Sequence, residues 1–536
     1  MKKSFAGLLR DLKKVVAHFD VPTHSQKQLL LGAISKLKLP NNKSVIEYAD
    51  IILFILAHPS DIKILNLAEK ENQRLALHLK KGKHSSSSIF SNSGLPFTYT
   101  VTRFSHDTVR WLFSHPLCKI EMDGFENPTL TLNQVLKLTL PSLEVSETSA
   151  GLENDDLLEV YEVKKKNTLS FLISQLSQFD THPFVKDHLY DGLDIYLNVI
   201  PKNRFLTKSY NRLLNPDVYF HSEILKNFDY QGLLNSVIPA PVNLSATEKT
   251  HAIAVIKNSM ILTGRETDTS TYMDEKSFRL YKLERGITVA IYGMVPQRQL
   301  PLESYVGYTL FKNGFPAAYG GAWVFGKRAL FGINVFEQFR GGESGYILCQ
   351  LLRVYRQVFS VSYFEVEPYQ YGLDNPEGIQ SGAFWFYYRY GFRSLDKKLF
   401  AIAEKEKQKI QSKKEYRTSE KTLTQFTESN ISLNLGKGIP VKVLEITRKV
   451  TAMIEKNYQG NRIVAEKDCM RRFVNKTDLP ELSDNNEIQV LNEVALWAEA
   501  DRVNDPEKLQ LLAKMIQTKP KDMYEYQQLV LDFLKN

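Results

Sequence analysis

Residues 304–392 constrain the fold more than any other stretch, because strands, a glycine turn, a helix and a further strand follow one another there in a fixed order. Residues 304–310 and 315–325 are rich in Tyr, Val, Phe and Trp, side chains that suit a pleated, half-buried surface. Lys312-Asn313-Gly314 between them supplies the positive φ angles of a tight hairpin. Residues 329–337 predict a third strand whose alternation puts Phe331, Ile333 and Val335 on one face, with Glu337 ending the row. The chain then turns at Arg340-Gly341-Gly342-Glu343-Ser344-Gly345 and enters a helix over 346–359, where Gln350, Arg353 and Gln357 make a polar stripe on an otherwise apolar surface. A strand over 361–368 and a helix over 381–390, stopped by Gly391, complete the stretch.

A strand, a glycine turn and a helix bring several backbone N–H groups and a helix N-terminus around one point, an arrangement that suits an anion such as pyrophosphate. Here the residues resemble the GNAT N-acetyltransferase superfamily. Its phosphate loop, Gln/Arg-x-x-Gly-x-Gly/Ala after a strand ending Val-x-Pro-x-x, is set against Val335, Glu337, Arg340, Glu343 and Gly345 in this chain, with three positions matching and two departing. The family's Phe-Tyr-x-x-x-Gly-Phe ending is met in full by residues 386–392, with Ala383 as the small residue one turn earlier. The resemblance implies that loop amides hold the pyrophosphate of acetyl-CoA or another acyl-CoA, that the preceding strand binds the pantetheine arm, and that Tyr387 protonates the leaving thiolate. It makes Val335, Glu337, Arg340, Gly341, Gly342, Ser344 and Gly345 the cofactor-binding candidates. An amine acceptor of unspecified kind would attack the thioester directly.

Glu343 is the main departure. A carboxylate among phosphate-facing amides opposes an anion, whereas the same carboxylate in a helix's first turn is favoured by the dipole of a ligand-free helix. Gln380 replaces the family's asparagine before the aromatic helix, and residues 374–378 add a loop there. No histidine follows His251, so a general base would be a carboxylate or an ordered water. Strand alternation puts Glu365 and Glu367 on one face with Tyr363, which makes this pair the catalytic carboxylate candidates; an outer face meeting water or lysine is the equal alternative. Cys349 reads as a small apolar residue on its helix.

At 536 residues the chain is too long for one core. The pattern predicts an α+β multidomain protein: a helical unit over 1–82, a serine-rich linker over 83–94, a helical region over 95–240, a GNAT-like mixed sheet with helices over 245–398, and a helical C-terminal region over 399–536. A hairpin over 278–294 precedes the strands described above and leaves the sheet's first strand unassigned. Ser245-Ala246-Thr247-Glu248 is a capping box that starts a helix running to Gly264. The net charge of +9 is modest over this length and demands no nucleic acid, although a transferase using aminoacyl-tRNA shares the fold pattern and is the second reading. A non-catalytic scaffold that binds proteins is the third. Three scattered cysteines make neither a disulfide framework nor a metal cluster, and His58, His115 and His182, each before a proline, read as chain turns without a metal. Met1-Lys2-Lys3 is followed by too short an apolar run for a signal peptide, and residues 51–57, the longest such run, fall far short of a membrane span. The expectation is a cytoplasmic protein off the membrane.

Overall fold

The computed structural model describes residues 4–81, 88–149, 151–152, 154–214 and 216–535. Part of the expected linker, residues 83–87, lies outside them, as does the N-terminal Met1-Lys2-Lys3. Just beyond, Ser88–Phe90 is a turn of 3-10 helix whose Phe90 is buried.

Four helices open the chain: α1 (Phe5–Val15), α2 (Val21–Ile34), α3 (Ser44–Ala57) and α4 (Ile62–Lys81). The second half of α3, residues 51–57, is wholly apolar and buried without exception, because helices enclose one side and the central domain the other. Its core continues into that of the large sheet.

The next region, expected to be helical throughout, also contains an antiparallel sheet of β1 (Thr100–Thr102), β2 (Cys118–Phe125) and β3 (Ile195–Pro201) in the order β1-β3-β2. Within this region the helix Pro183–Gly192 stops at Gly192, and Asp194 at φ 45° turns the chain. Beyond it Ile195, Leu197 and Val199 are buried in alternation, which is a period of two. Two helices earlier in the region, Asn154–Val160 and Thr168–Gln178, are separated by a turn around Glu162 at φ 54°.

The central sheet has eight strands: β4 (Met273–Lys282), β5 (Ile287–Met294), β6 (Ser304–Lys312), β7 (Phe315–Phe325), β8 (Arg328–Val335), β9 (Tyr363–Val366), β10 (Arg393–Ser394) and β11 (Ile431–Asn434). Their order is β10-β11-β9-β8-β7-β6-β5-β4, antiparallel except for β8 beside β9. Asn313 and Gly314, at φ 46° and 83°, make the two-residue turn between β6 and β7. The capping box at Ser245 and Glu248 starts the helix Ala246–Thr263, which Gly264 ends. β11 lies where the sequence predicts only helix. It has four residues, of which Ile431 and Leu433 are buried, too short a run to show a period.

The helix Ser344–Phe359 lies on the sheet. Two residues of its polar stripe face protein, while Gln357 is exposed: Arg353 donates to the carbonyls of Ser236 (3.0 Å) and Val237 (2.5 Å), and Gln350 to Glu284 (2.9 Å). The helix expected over 381–390 is present as Ala383–Arg389, and Gly382 at φ 65° separates it from a further short helix before it, Pro376–Ser381. Five helices after residue 442 form a bundle around Val494, Leu496, Trp497, Leu512 and Val530. It is docked by Tyr526 and Gln527, which donate to the carbonyls of Leu302 (2.7 Å), Gly326 (2.6 Å) and Phe359 (2.8 Å). No helix among the described residues is long and apolar enough to cross a membrane. The molecule is thus a mixed α/β protein with helical regions on both sides of its main sheet.

Candidate functional site

β8 and β9 pair in parallel at only three positions, Arg328 with Tyr363, Ala329 with Phe364 and Leu330 with Glu365. β9 then ends at Val366 while β8 runs on to Val335, so the second half of β8 loses its neighbour on that side. Gln370, on the 3-10 turn Pro368–Tyr371, fills part of the gap. Its Oε1 accepts from the Ile333 amide (3.2 Å) and from the Tyr387 hydroxyl (3.3 Å). A Cβ on Gly332 would lie 3.2 Å from its Nε2.

Past Val335 the chain makes a 3-10 turn, Glu337–Phe339, on which Glu337 is exposed, and reaches the glycine turn. Arg340 reaches back, its Nε donating to the Val335 carbonyl (3.0 Å) and its guanidinium pairing with Glu377. Gly341, at φ 74°, faces open space. Among the described residues no acceptor meets the backbone N–H groups of Gly341, Gly342, Glu343, Ser344, Gly345 or Tyr346, and the helix that follows has no side-chain cap. Gly345 lies under Tyr390, whose hydroxyl is 1.7 Å from where a Cβ would stand.

Glu343 neither caps this helix nor faces the turn. Its side chain is buried beneath it. Oε2 takes a hydrogen bond from Lys312 Nζ (2.5 Å); Oε1 takes them from Arg285 Nη2 (2.8 Å) and the Leu225 amide (3.1 Å). Burial alone would raise the carboxyl's pKa, but Lys312, Arg285 and the amide outweigh it and hold Glu343 ionised. Burial conversely brings Lys312 down to about 8. His58 and His221 complete the cluster, His58 Nε2 lying 3.9 Å from Glu343 Oε2.

Tyr387 is buried, and burial followed by the neighbouring Tyr371 raises its pKa, so it stays protonated. The carboxylate candidates are not a pair. Glu365 is buried and bonded to Arg328 (3.0 Å), Asn430 (2.7 Å) and Lys442 (3.1 Å), which outweigh burial and lower its pKa. Glu367 lies past the strand end and is exposed, so the predicted alternation does not reach it. Cys349 is buried, with its thiol pushed up by burial. A separate cavity of about 400 Å³ lies against the hairpin ends, lined by Leu213, Tyr219, His251, Lys282 and Arg285 among others.

The glycine turn, Val335 and Tyr387 were marked by sequence; Gln370, Lys312, Arg285 and His221 were not. Gln370 sits in an unpatterned turn, and the other three come from chain positions distant from 343 that only the tertiary fold assembles. No known protein family, curated protein or solved structure matches this chain.

Proposed function

We propose that the chain is a GNAT-type N-acyltransferase that moves an acyl group from acetyl-CoA or another acyl-CoA to an amine. The observation that carries this reading is the row of unpartnered amides from Gly341 to Tyr346, placed where a strand parts from its parallel neighbour. The first amides of a helix have no partner within it, and a helix N-terminus favours an anion, so a pyrophosphate suits the turn. Glu343 does not oppose it, because that carboxylate is directed inward and neutralised by Lys312 and Arg285.

In this reading the pantetheine arm takes over the Ile333 amide from Gln370, which swings aside, and Arg340 releases the Val335 carbonyl. The amine nitrogen then attacks the thioester carbon, the C–S bond breaks, and the thiolate takes the Tyr387 proton. Glu365 is committed to three partners, so the amine's proton goes to ordered water or to exposed Glu367.

Mass spectrometry for copurified CoA species, joined to thermal shift with acetyl-, succinyl- and long-chain CoA, tests the donor. Saturation at about 100 times Kd stabilises a protein by about 2.7 kcal/mol. Gln370→Ala should bind the donor more tightly, and Tyr387→Phe should lower kcat with KM unchanged. Absence of any shift in both the wild type and Gln370→Ala ends the acyl-transfer reading.

A further inference from the structure

The His58, His221 and Glu343 cluster stands apart from the donor reading. Histidine Nε2 or Nδ1 atoms and a carboxylate oxygen, one from each residue, lie within 4.8 Å of one another. All three residues are buried.

His221 is 1% exposed, and both its ring nitrogens are buried without a hydrogen-bond partner. Such groups are uncommon and call for an explanation, of which an ion is one. His58 has the complementary arrangement. Its Nδ1 lies 3.2 Å from the Phe54 carbonyl, which can only accept, so the proton is on Nδ1 and Nε2 presents a lone pair toward Glu343. A backbone carbonyl holding the far ring nitrogen is how metal-binding histidines are usually oriented.

The histidines are also held in place. The His221 amide donates to the Pro59 carbonyl (2.7 Å), which ties His221 to the residue after His58. Asn313 donates to the carbonyls of Ala57 and Tyr219 (2.9 Å each) and accepts from the Tyr219 amide (2.8 Å). Phe54 stacks on His58 at 4.4 Å, and Tyr219 meets His221 edge-on at 4.7 Å, giving the donors an apolar surround.

We propose that His58, His221 and Glu343 bind a divalent transition ion of the zinc class, which ties α3 and the segment around His221 to the start of the Ser344–Phe359 helix. Two imidazoles and a carboxylate are a donor set zinc takes at about 2.0–2.2 Å, so the side chains need to draw in to about 3.4 Å from one another. The cations around the site are Lys312 and Arg285 on Glu343, with Lys27 acting on His58 from further away. The ion takes the place of the Lys312 ammonium at Glu343 Oε2, and nothing is oxidised.

The test is zinc binding to the full chain after stripping with a chelator, read by elemental analysis and by calorimetry, with Co²⁺ as the spectroscopic probe. One zinc per chain is expected. Lys312→Met, which removes the cation competing for Glu343 Oε2, should keep the zinc and bind it more tightly. His221→Asn should lose saturable binding and the zinc-dependent rise in Tm. The proposal is overturned if the wild type and Lys312→Met both fail to take up stoichiometric zinc, or if His221→Asn binds it as the wild type does.

Discussion

Lys519 follows the helix Pro506–Thr518 and inserts its amine under the start of β6, fully buried, donating to the Glu303 carbonyl (2.8 Å) and Ser304 Oγ (2.7 Å). Burial lowers its pKa from 10.5 to about 7, with Glu303 opposing the shift. Between those values the folded chain holds fewer protons than the unfolded chain, so stability climbs with pH. From about pH 7 to about pH 9 the recovery from this one residue is about 2 kcal/mol. Lys27 and Lys312, each lowered to about 8, add smaller rises of the same sign. The trend reverses only at alkaline pH, where buried tyrosines such as Tyr308 and Tyr355, raised well above 10, must stay protonated. Urea unfolding at the two pH values, with chelator present, measures the slope for the wild type and Lys519→Met. The variant should lose about 2 kcal/mol of the rise, even though it also leaves the Glu303 carbonyl and Ser304 without their donor. A wild type whose stability is flat or falls over this range refutes the argument, as does a variant that keeps the whole slope.

Glu343→Ala leaves Lys312 and Arg285 buried without their shared carboxylate and should cost about 3–5 kcal/mol in chemical denaturation. The loss should shrink as the pH rises toward about 8, because Lys312 without Glu343 sheds its proton at lower pH than it does in the wild type. Gly345→Ala gains helix propensity of about 1 kcal/mol but drives a methyl into Tyr390, and overpacking of about 1–3 kcal/mol should prevail, so Tm falls. Pairing it with Tyr390→Ala should recover more than the two single effects predict, a coupling that a double-mutant cycle reads directly.

What could be read from the sequence was the chemistry that acts over a few residues. The turn at Asn313-Gly314 and the capping box at Ser245 and Glu248 depend on backbone conformations that those residues favour by themselves, and both are present. β11 depends instead on Glu365 and Phe364 offering it an edge, more than sixty residues earlier in the chain, and its four residues carry no period of their own. The small sheet of β1, β2 and β3 was missed for a related reason. Its strands are short, they are separated by amphipathic helices, and Ile195 to Val199 follow a helix end closely enough to be absorbed into its apolar pattern.

The acids show the same limit within the site. Alternation puts Glu365 and Glu367 on one face only if the strand continues through both, and it ends at Val366. For Glu343, neighbours in sequence offered two environments, an anion-binding turn or a helix dipole, and the side chain takes neither. Lys312 and Arg285, at the ends of two hairpins, reach it beneath the turn, and His58 and His221 close the other side. A buried carboxylate is stable only where such partners converge, and convergence is a property of the tertiary fold. The glycine turn therefore keeps its amides free of a nearby negative charge because its one acid is drawn into the interior, where Arg285 and the Leu225 amide hold it together with Lys312.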